Sequence, residues 1–219
     1  MPSEFTHLFV AGAFGKTFAV EKMPARFWAL CGICAVIPDI DVIGFYLGIK
    51  YGGMFGHRGF FHSLTFSLLA GIAIVVLAFP AIPRFSKKWW GMGTFFFAVT
   101  ASHGFLDSLT DRGLGVGFFI PFDNTRYVMP WRPIHASPMK ISRFFSRSGI
   151  DVLTAEIIWI WVPVIVLCAV ARWCRTGKAH PGTAGPPIGN GLDRRISRQF
   201  KPCCCPILLI LVDFSAAGG

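Results

Sequence analysis

Between Ser63 and Pro83 the chain runs for 21 residues without a charged side chain. A run of that length matches the ~20 apolar residues that carry a helix across a bilayer core. Composition points the same way. Charged residues are 15% of the 219-residue chain and hydrophobic residues 53%, whereas ordinary soluble domains carry about 25% charged residues. The long apolar runs lack the strict two-residue alternation of a membrane-spanning barrel. The expected class is therefore all-α: a polytopic helical membrane protein with about four transmembrane or partly re-entrant helices.

The four segments are Phe27 to Ile49, Ser63 to Pro83, Trp89 to Leu106 and Val152 to Ala171. The second and third form an antiparallel hairpin turned by the basic stretch Arg84 to Lys88, with Trp89 and Trp90 at the water interface. The first is interrupted by "PDID" at 38 to 41, which predicts a short helix, a break and a second short apolar piece. Pro163 predicts a kink in the last. Phe5 to Val20 is shorter and reads as an interfacial or re-entrant helix. No cleavable signal peptide is expected, because no basic region precedes the first apolar stretch. Lys and Arg lie at both ends of the hairpin, so charge counting does not orient the chain.

Two domains are expected: a membrane-embedded unit over residues 1–175, and a basic, Gly/Pro-rich tail with a short apolar end over 176–219. From Arg172 to Lys201 seven basic residues face the single acid Asp193. Beside a membrane span such a run points to anionic lipid headgroups, and no nucleic-acid motif accompanies it. Membrane lipids are the expected partners, and nucleic acid is not. Cys31 and Cys34 lie in an apolar run and read as packed thiols rather than a redox or zinc pair.

The hairpin geometry gathers polar residues at one membrane face. His57 and His62 precede the second segment, and the third returns His103 and Asp107 to the same level. His103 and Asp107 are four apart, hence on one helical face. Asp39 and Asp41 come from the break in the first segment, and Asp-x-Asp in extended or turn structure points both side chains one way. His7 lies in the N-terminal apolar stretch, and Glu156 opens the last segment on the same side. Ionisable groups in or beside a span are costly unless paired or hydrated, so such a cluster is a functional candidate. Mixed imidazole and carboxylate suits a divalent metal, Zn first, with Mn or Fe as alternatives. Such an ion activates water for attack on a phosphoryl or carbonyl group. Arg58, with Arg126 or Arg132, is expected to clamp an anionic phosphate. There is no HExxH, GxSxG or phosphate-binding loop. Ser63 and Ser102 adjoin histidines in sequence only. His135 and His180 read as surface residues.

"THLF" at 6 to 9, "PDID" at 38 to 41, "GHRGFFHS" at 56 to 63 and "SHGFLDSLTDRGLGVGFFIPF" at 102 to 122 together resemble the YdjM-like, inner-membrane-associated metal-dependent hydrolases of bacteria. The resemblance runs from about His7 to Pro133. The family pattern reads HRGxTHS, and Phe61 stands here in place of the threonine. The resemblance implies a multi-pass protein of the bacterial inner membrane with a metal site at His7, Asp39, Asp41, His57, His62, His103 and Asp107. A fainter similarity, in scattered ligands only, is to zinc-dependent phospholipase C and P1-type nucleases. It implies a phosphoester substrate, and Glu156 fits a late acidic ligand of that kind. In a hydrolase of this type Asp41 would also orient the attacking water and Arg58 would bind the substrate. The rival reading is a metal-ion or proton transporter built on the same cluster. A haem-binding subunit is a third reading and a purely structural protein a fourth.

Overall fold

Proline shapes two of the helix ends. In a computed structural model, which describes residues 1–19, 22–137 and 147–177, the chain is helical and contains no strand among those residues. Helix α1 spans Glu4–Phe18. Its acid Glu4 opens the first turn and Lys16 closes the last, as the helix dipole favours. Helix α2 spans Ala25–Val36 and passes into a 3-10 segment, Ile37–Val42, then into the short α3, Ile43–Tyr46. Pro38 lacks the N–H that would continue the α pattern, so the chain tightens there. Helix α4 is Leu64–Ala78 and α5 is Lys87–Ser108. Helix α6, Arg147–Glu156, continues through a π segment, Ile157–Trp161, into α7, Val162–Gly177.

The apolar core of the unit Met1–Ile165 lies among α1, α2, α4 and α5. Phe27, Cys31, Cys34, Val75, Phe96 and Val99 are buried in it. Both cysteines are therefore packed thiols, as expected. Helices α4 and α5 pack closely enough that glycine is required at 71. A Cβ there would come within 2.7 Å of the Gly93 carbonyl oxygen and 2.9 Å of the Phe97 nitrogen.

Among the described residues two helical runs, not four, are long and apolar enough to cross a membrane: Ala25–Tyr46 and Gly149–Arg175. The 21-residue apolar run from Ser63 yields only the 15-residue α4. At 1.5 Å per residue that is about 22 Å, short of the ~30 Å hydrocarbon core. The helix ends at Ala78, just before Pro80. Helix α5 is long enough at 22 residues, but its lysines and its run of Thr, Ser, His and Asp dilute it, and one side of it forms the core. The Ala25–Tyr46 run also shows that "PDID" does not break the helical path; it converts it to 3-10 geometry. Of the expected tail, 178–219 lies outside the described residues, as do His180 and Cys203 to Cys205.

Candidate metal centre

Four helices deliver their polar residues to one end of the bundle. His7 comes from the second turn of α1. Asp39 and Asp41 come from the 3-10 segment that ends α2. His62 sits just before α4, and His103 and Asp107 lie one turn apart near the end of α5. All are buried except Asp39, whose side chain is 10% exposed.

The imidazoles are oriented from behind. His103 Nδ1 lies 2.6 Å from the Ala35 carbonyl oxygen; donating there leaves Nε2 with its lone pair facing Asp39 Oδ2 at 3.3 Å. His62 Nδ1 lies 3.0 Å from Asp41 Oδ2, off the line of a good hydrogen bond. Its Nε2 lies 3.4 Å from Asp39 Oδ1 and 3.4 Å from Asp107 Oδ2. His7 Nε2 is 3.7 Å from Asp107 Oδ1, and its ring stacks on His103 with centroids 3.8 Å apart.

These separations fit one cation. Four ligands about 2.1 Å from a tetrahedral zinc stand about 3.4 Å from one another. One ligand atom from each of Asp39, His62, His103 and Asp107 can be chosen so that all lie within 4.8 Å of one another. Both ring nitrogens of His7, both oxygens of Asp39 and Asp107, and Nε2 of His62 and of His103 are buried without a hydrogen-bond partner. Convergent orphan atoms of this kind cost roughly 1–3 kcal/mol each unless something satisfies them, and a divalent cation would satisfy one atom from each of Asp39, His62, His103 and Asp107 at once.

Asp41 and His57 stand behind this group. Asp41 Oδ1 is 2.7 Å from His57 Nδ1, and Oδ2 accepts from the Arg58 backbone N–H at 2.9 Å. In 3-10 geometry, residues two apart point about 120° apart. The expectation that Asp39 and Asp41 point one way is therefore corrected: Asp39 faces the orphan atoms, and Asp41 faces the rear of His62. Asp41, His57 and His62 also form a second group within ligand distance, but the oxygens of Asp41 are already engaged. Replacement of Asp41 by asparagine is expected to weaken metal binding about 10–100-fold, as loss of an outer-shell carboxylate does, without changing the metal content at saturation. Competition against a chromophoric chelator measures this.

Arg58 is a correction of a different kind. Its backbone is left-handed, φ 62, and its side chain is 3% exposed. Nε lies 3.0 Å from Asp107 Oδ2, while Nη1 donates to the Arg112 carbonyl and Nη2 to Thr110 Oγ1, each at 3.0 Å. Its Nε faces Asp107 and each terminal nitrogen donates inside the protein, so the guanidinium is turned inward, where it counters the charge of Asp107, rather than to the mouth as expected of a substrate clamp. Arg126 is used likewise, donating to the carbonyls of His57, Tyr51 and Gly53. Arg132 is exposed and donates to the Asp111 carbonyl at 3.4 Å. Asp41, engaged on both oxygens, is not free to orient water. Ser63 caps α4 and Ser102 bonds the Val99 carbonyl, so neither forms a dyad with its neighbouring histidine.

Glu156 does not join the group. It is wholly buried and accepts from the Ser3 N–H and hydroxyl and from Thr6 Oγ1. Its pairing with residues 150 positions away leaves no local sequence signal. Thr110, which bonds the Asp107 carbonyl at 2.7 Å as well as Arg58, was readable as part of the "DSLT" run one turn after Asp107. Glu4 was missed. Although its residue is exposed, partial burial and its contact with Asp39 push its carboxyl up to about 8. His135 is exposed and pairs with Asp111 at 3.0 Å, outside the centre.

Electrostatics bind these groups to one another. Burial disfavours a charged His62, but the facing carboxylates of Asp107, Asp39 and Asp41 outweigh it and hold its pKa well above the ordinary imidazole value. Burial, then the adjacent His103, holds His7 well below it.

Comparison with known proteins gives the family. The family described as YdjM inner membrane protein matches residues 1–179. The chain is 33% identical over 180 residues to the inner membrane protein YbcI of Escherichia coli (strain K12), covering 80% of this chain and 99% of that protein. No solved structure matches. The match spans every helix described above, from the His7 turn to the end of α7, and the chain therefore belongs to the YdjM inner membrane protein family.

Proposed function

We propose that this protein is a multi-pass inner-membrane hydrolase that uses a divalent metal, zinc first, to attack a phosphoester or lipid-linked substrate with water. One observation carries the reading: nine nitrogen and oxygen atoms of the clustered side chains His7, Asp39, His62, His103 and Asp107 are buried without hydrogen-bond partners. Asp39, His62, His103 and Asp107 would hold the ion, with His7 beside Asp107. A bound ion of this class supplies a water of lowered pKa and stabilises charge on the attacked group. Asp41 and the Ala35 carbonyl fix the two central imidazoles. Arg58 offsets the charge of Asp107 from the protein side. Asp39 is the one member of the central group with measurable exposure, so solvent and substrate would approach past it and Glu4.

Metal transport is the second reading. What favours it is that Asp39 and Asp41 lie inside the apolar run Ala25–Tyr46. What counts against it is the apolar packing of Phe27, Val75 and Phe96 in the adjoining core, since a transport path needs ionisable or hydrated groups along its length. The test is a panel of phosphodiester and phospholipid substrates offered to detergent-purified protein after zinc loading. Turnover that chelator abolishes and zinc restores supports the hydrolase. Zinc flux into proteoliposomes without turnover would replace it with transport. Zinc uptake at pH 7 is also expected to release about one proton, because the ion displaces the proton held by His62. Apparent affinity then falls as pH falls. Calorimetry in two buffers of different ionisation enthalpy reads the proton directly, and a buffer-independent heat would contradict the displacement.

A further inference from the structure

Behind the ring, His103 has a hydrogen-bond partner in the Ala35 carbonyl, and His62 has the Asp41 carboxylate at 3.0 Å as an ionic partner. His7 has none: both its nitrogens lack a hydrogen bond. Its Nε2 stands 3.7 Å from Asp107 Oδ1, beyond hydrogen-bond reach, so its direction depends on its helix and on the stack on His103.

The start of that helix is held from another element. Ser3, at the N-cap position of α1, makes no cap bond to its own helix. Its N–H and hydroxyl donate to Glu156, and Thr6 Oγ1 donates to the same carboxylate at 2.7 Å. Trp161 Nε1 donates to Thr6 Oγ1 at 2.8 Å, and the Trp161 ring stacks on Phe9 at 4.3 Å. Ile160 packs in one cluster with Val10. The residues on both sides of His7 are thus gripped by the stretch 156–161.

The π segment explains how one stretch does this. In an α-helix, residues five apart point about 140° apart, so Glu156 and Trp161 could not both meet Thr6. With the wider i to i+5 turn of a π-helix they come back onto one face. The Val162 N–H bonds the Ile157 carbonyl across that turn. Pro163, which has no N–H for the carbonyl four residues back, follows immediately. π turns recur at functional sites, and here the turn aims a carboxylate at the metal-bearing helix.

We infer that Glu156 is a positioning residue for His7: through Ser3 and Thr6 it does for this histidine what Asp41 does for His62. The last helical run is on this view part of the metal centre without supplying a ligand. The inference rests on the metal reading above, and its test separates the two.

Zinc dissociation constants are measured by chelator competition on the full chain in detergent, for wild type, Glu156→Gln, His7→Ala and the double variant. Cobalt-substituted visible spectra are recorded in parallel. Glu156→Gln is expected to weaken zinc roughly 10-fold, in the range of lost outer-shell partners, and to shift the cobalt spectrum toward that of His7→Ala. In the His7→Ala background the same change should cost less than about 2-fold, since the histidine it positions is gone. An equal loss in both backgrounds, or no loss in either, overturns the positioning role. If Glu156→Gln does not fold, Thr6→Val is read in the same cycle with the same two outcomes. A wild type that takes up no zinc or cobalt overturns the metal reading, and this inference with it.

Discussion

Protein carrying His103→Ala together with Asp107→Ala is expected to leave purification with less than about a tenth of the wild-type metal. The two side chains are one turn apart on α5, and each offers the centre a ligand atom. Losing them removes half of the four-residue group, an effect beyond the roughly 10–100-fold of an outer-shell partner. The single variant His103→Ala serves as the cleaner control, because it leaves the Arg58–Asp107 ion pair intact. It should lose most of its metal and keep its helical circular dichroism. Elemental analysis beside size-exclusion profiles decides the matter. Full metal retention in the double variant would mean that the convergent His/Asp group is a polar core and not a ligand set. The hydrolase proposal would then have no chemistry to rest on.

The sequence made parts of this centre legible and hid others for definite reasons. His103 and Asp107 could be paired because i, i+4 spacing fixes a shared face once a helix is granted. The hairpin of the second and third segments returned His103 and Asp107 to the level of His62, whereas no chain reversal was available to place His7 or Asp39. Asp39 and Asp41 were misread because the conversion of "PDID" to a 3-10 turn depends on how α2 ends, and that turn sends the two carboxylates to different layers. Arg58 was misread because its left-handed backbone, φ 62, carries the guanidinium inward rather than to the mouth. Glu156 was misread because its partners Ser3 and Thr6 are 150 or more positions away. The span count failed at α4 and α5 because hydropathy cannot distinguish a side chain facing lipid from one facing protein. Val75, Phe96 and Val99 are apolar because they fill the core among the helices.

Replacing Arg58 tests how that buried charge is balanced. Asp107 is wholly buried, and among the described residues Arg58 is the cationic side chain, apart from the imidazoles, within ion-pair distance of it. Removing one partner of a buried ion pair costs about 3–5 kcal/mol, so Arg58→Ala should unfold far below wild type in detergent. Lysine should not rescue it. A point ammonium cannot reach Asp107, Thr110 and the Arg112 carbonyl in three directions at once, as the guanidinium fork does. Arg58→Gly separates backbone from side chain: glycine accepts a positive φ without strain, so it should be roughly 1 kcal/mol more stable than the alanine variant. Zinc supplies the discriminating measurement. A cation among Asp39, His62, His103 and Asp107 would itself offset the charge that Arg58 leaves behind. Saturating zinc should therefore raise the melting temperature of Arg58→Ala by more than it raises that of wild type. An equal rise in both would show that Arg58 and the metal do not share Asp107, and would remove that carboxylate from the ligand set.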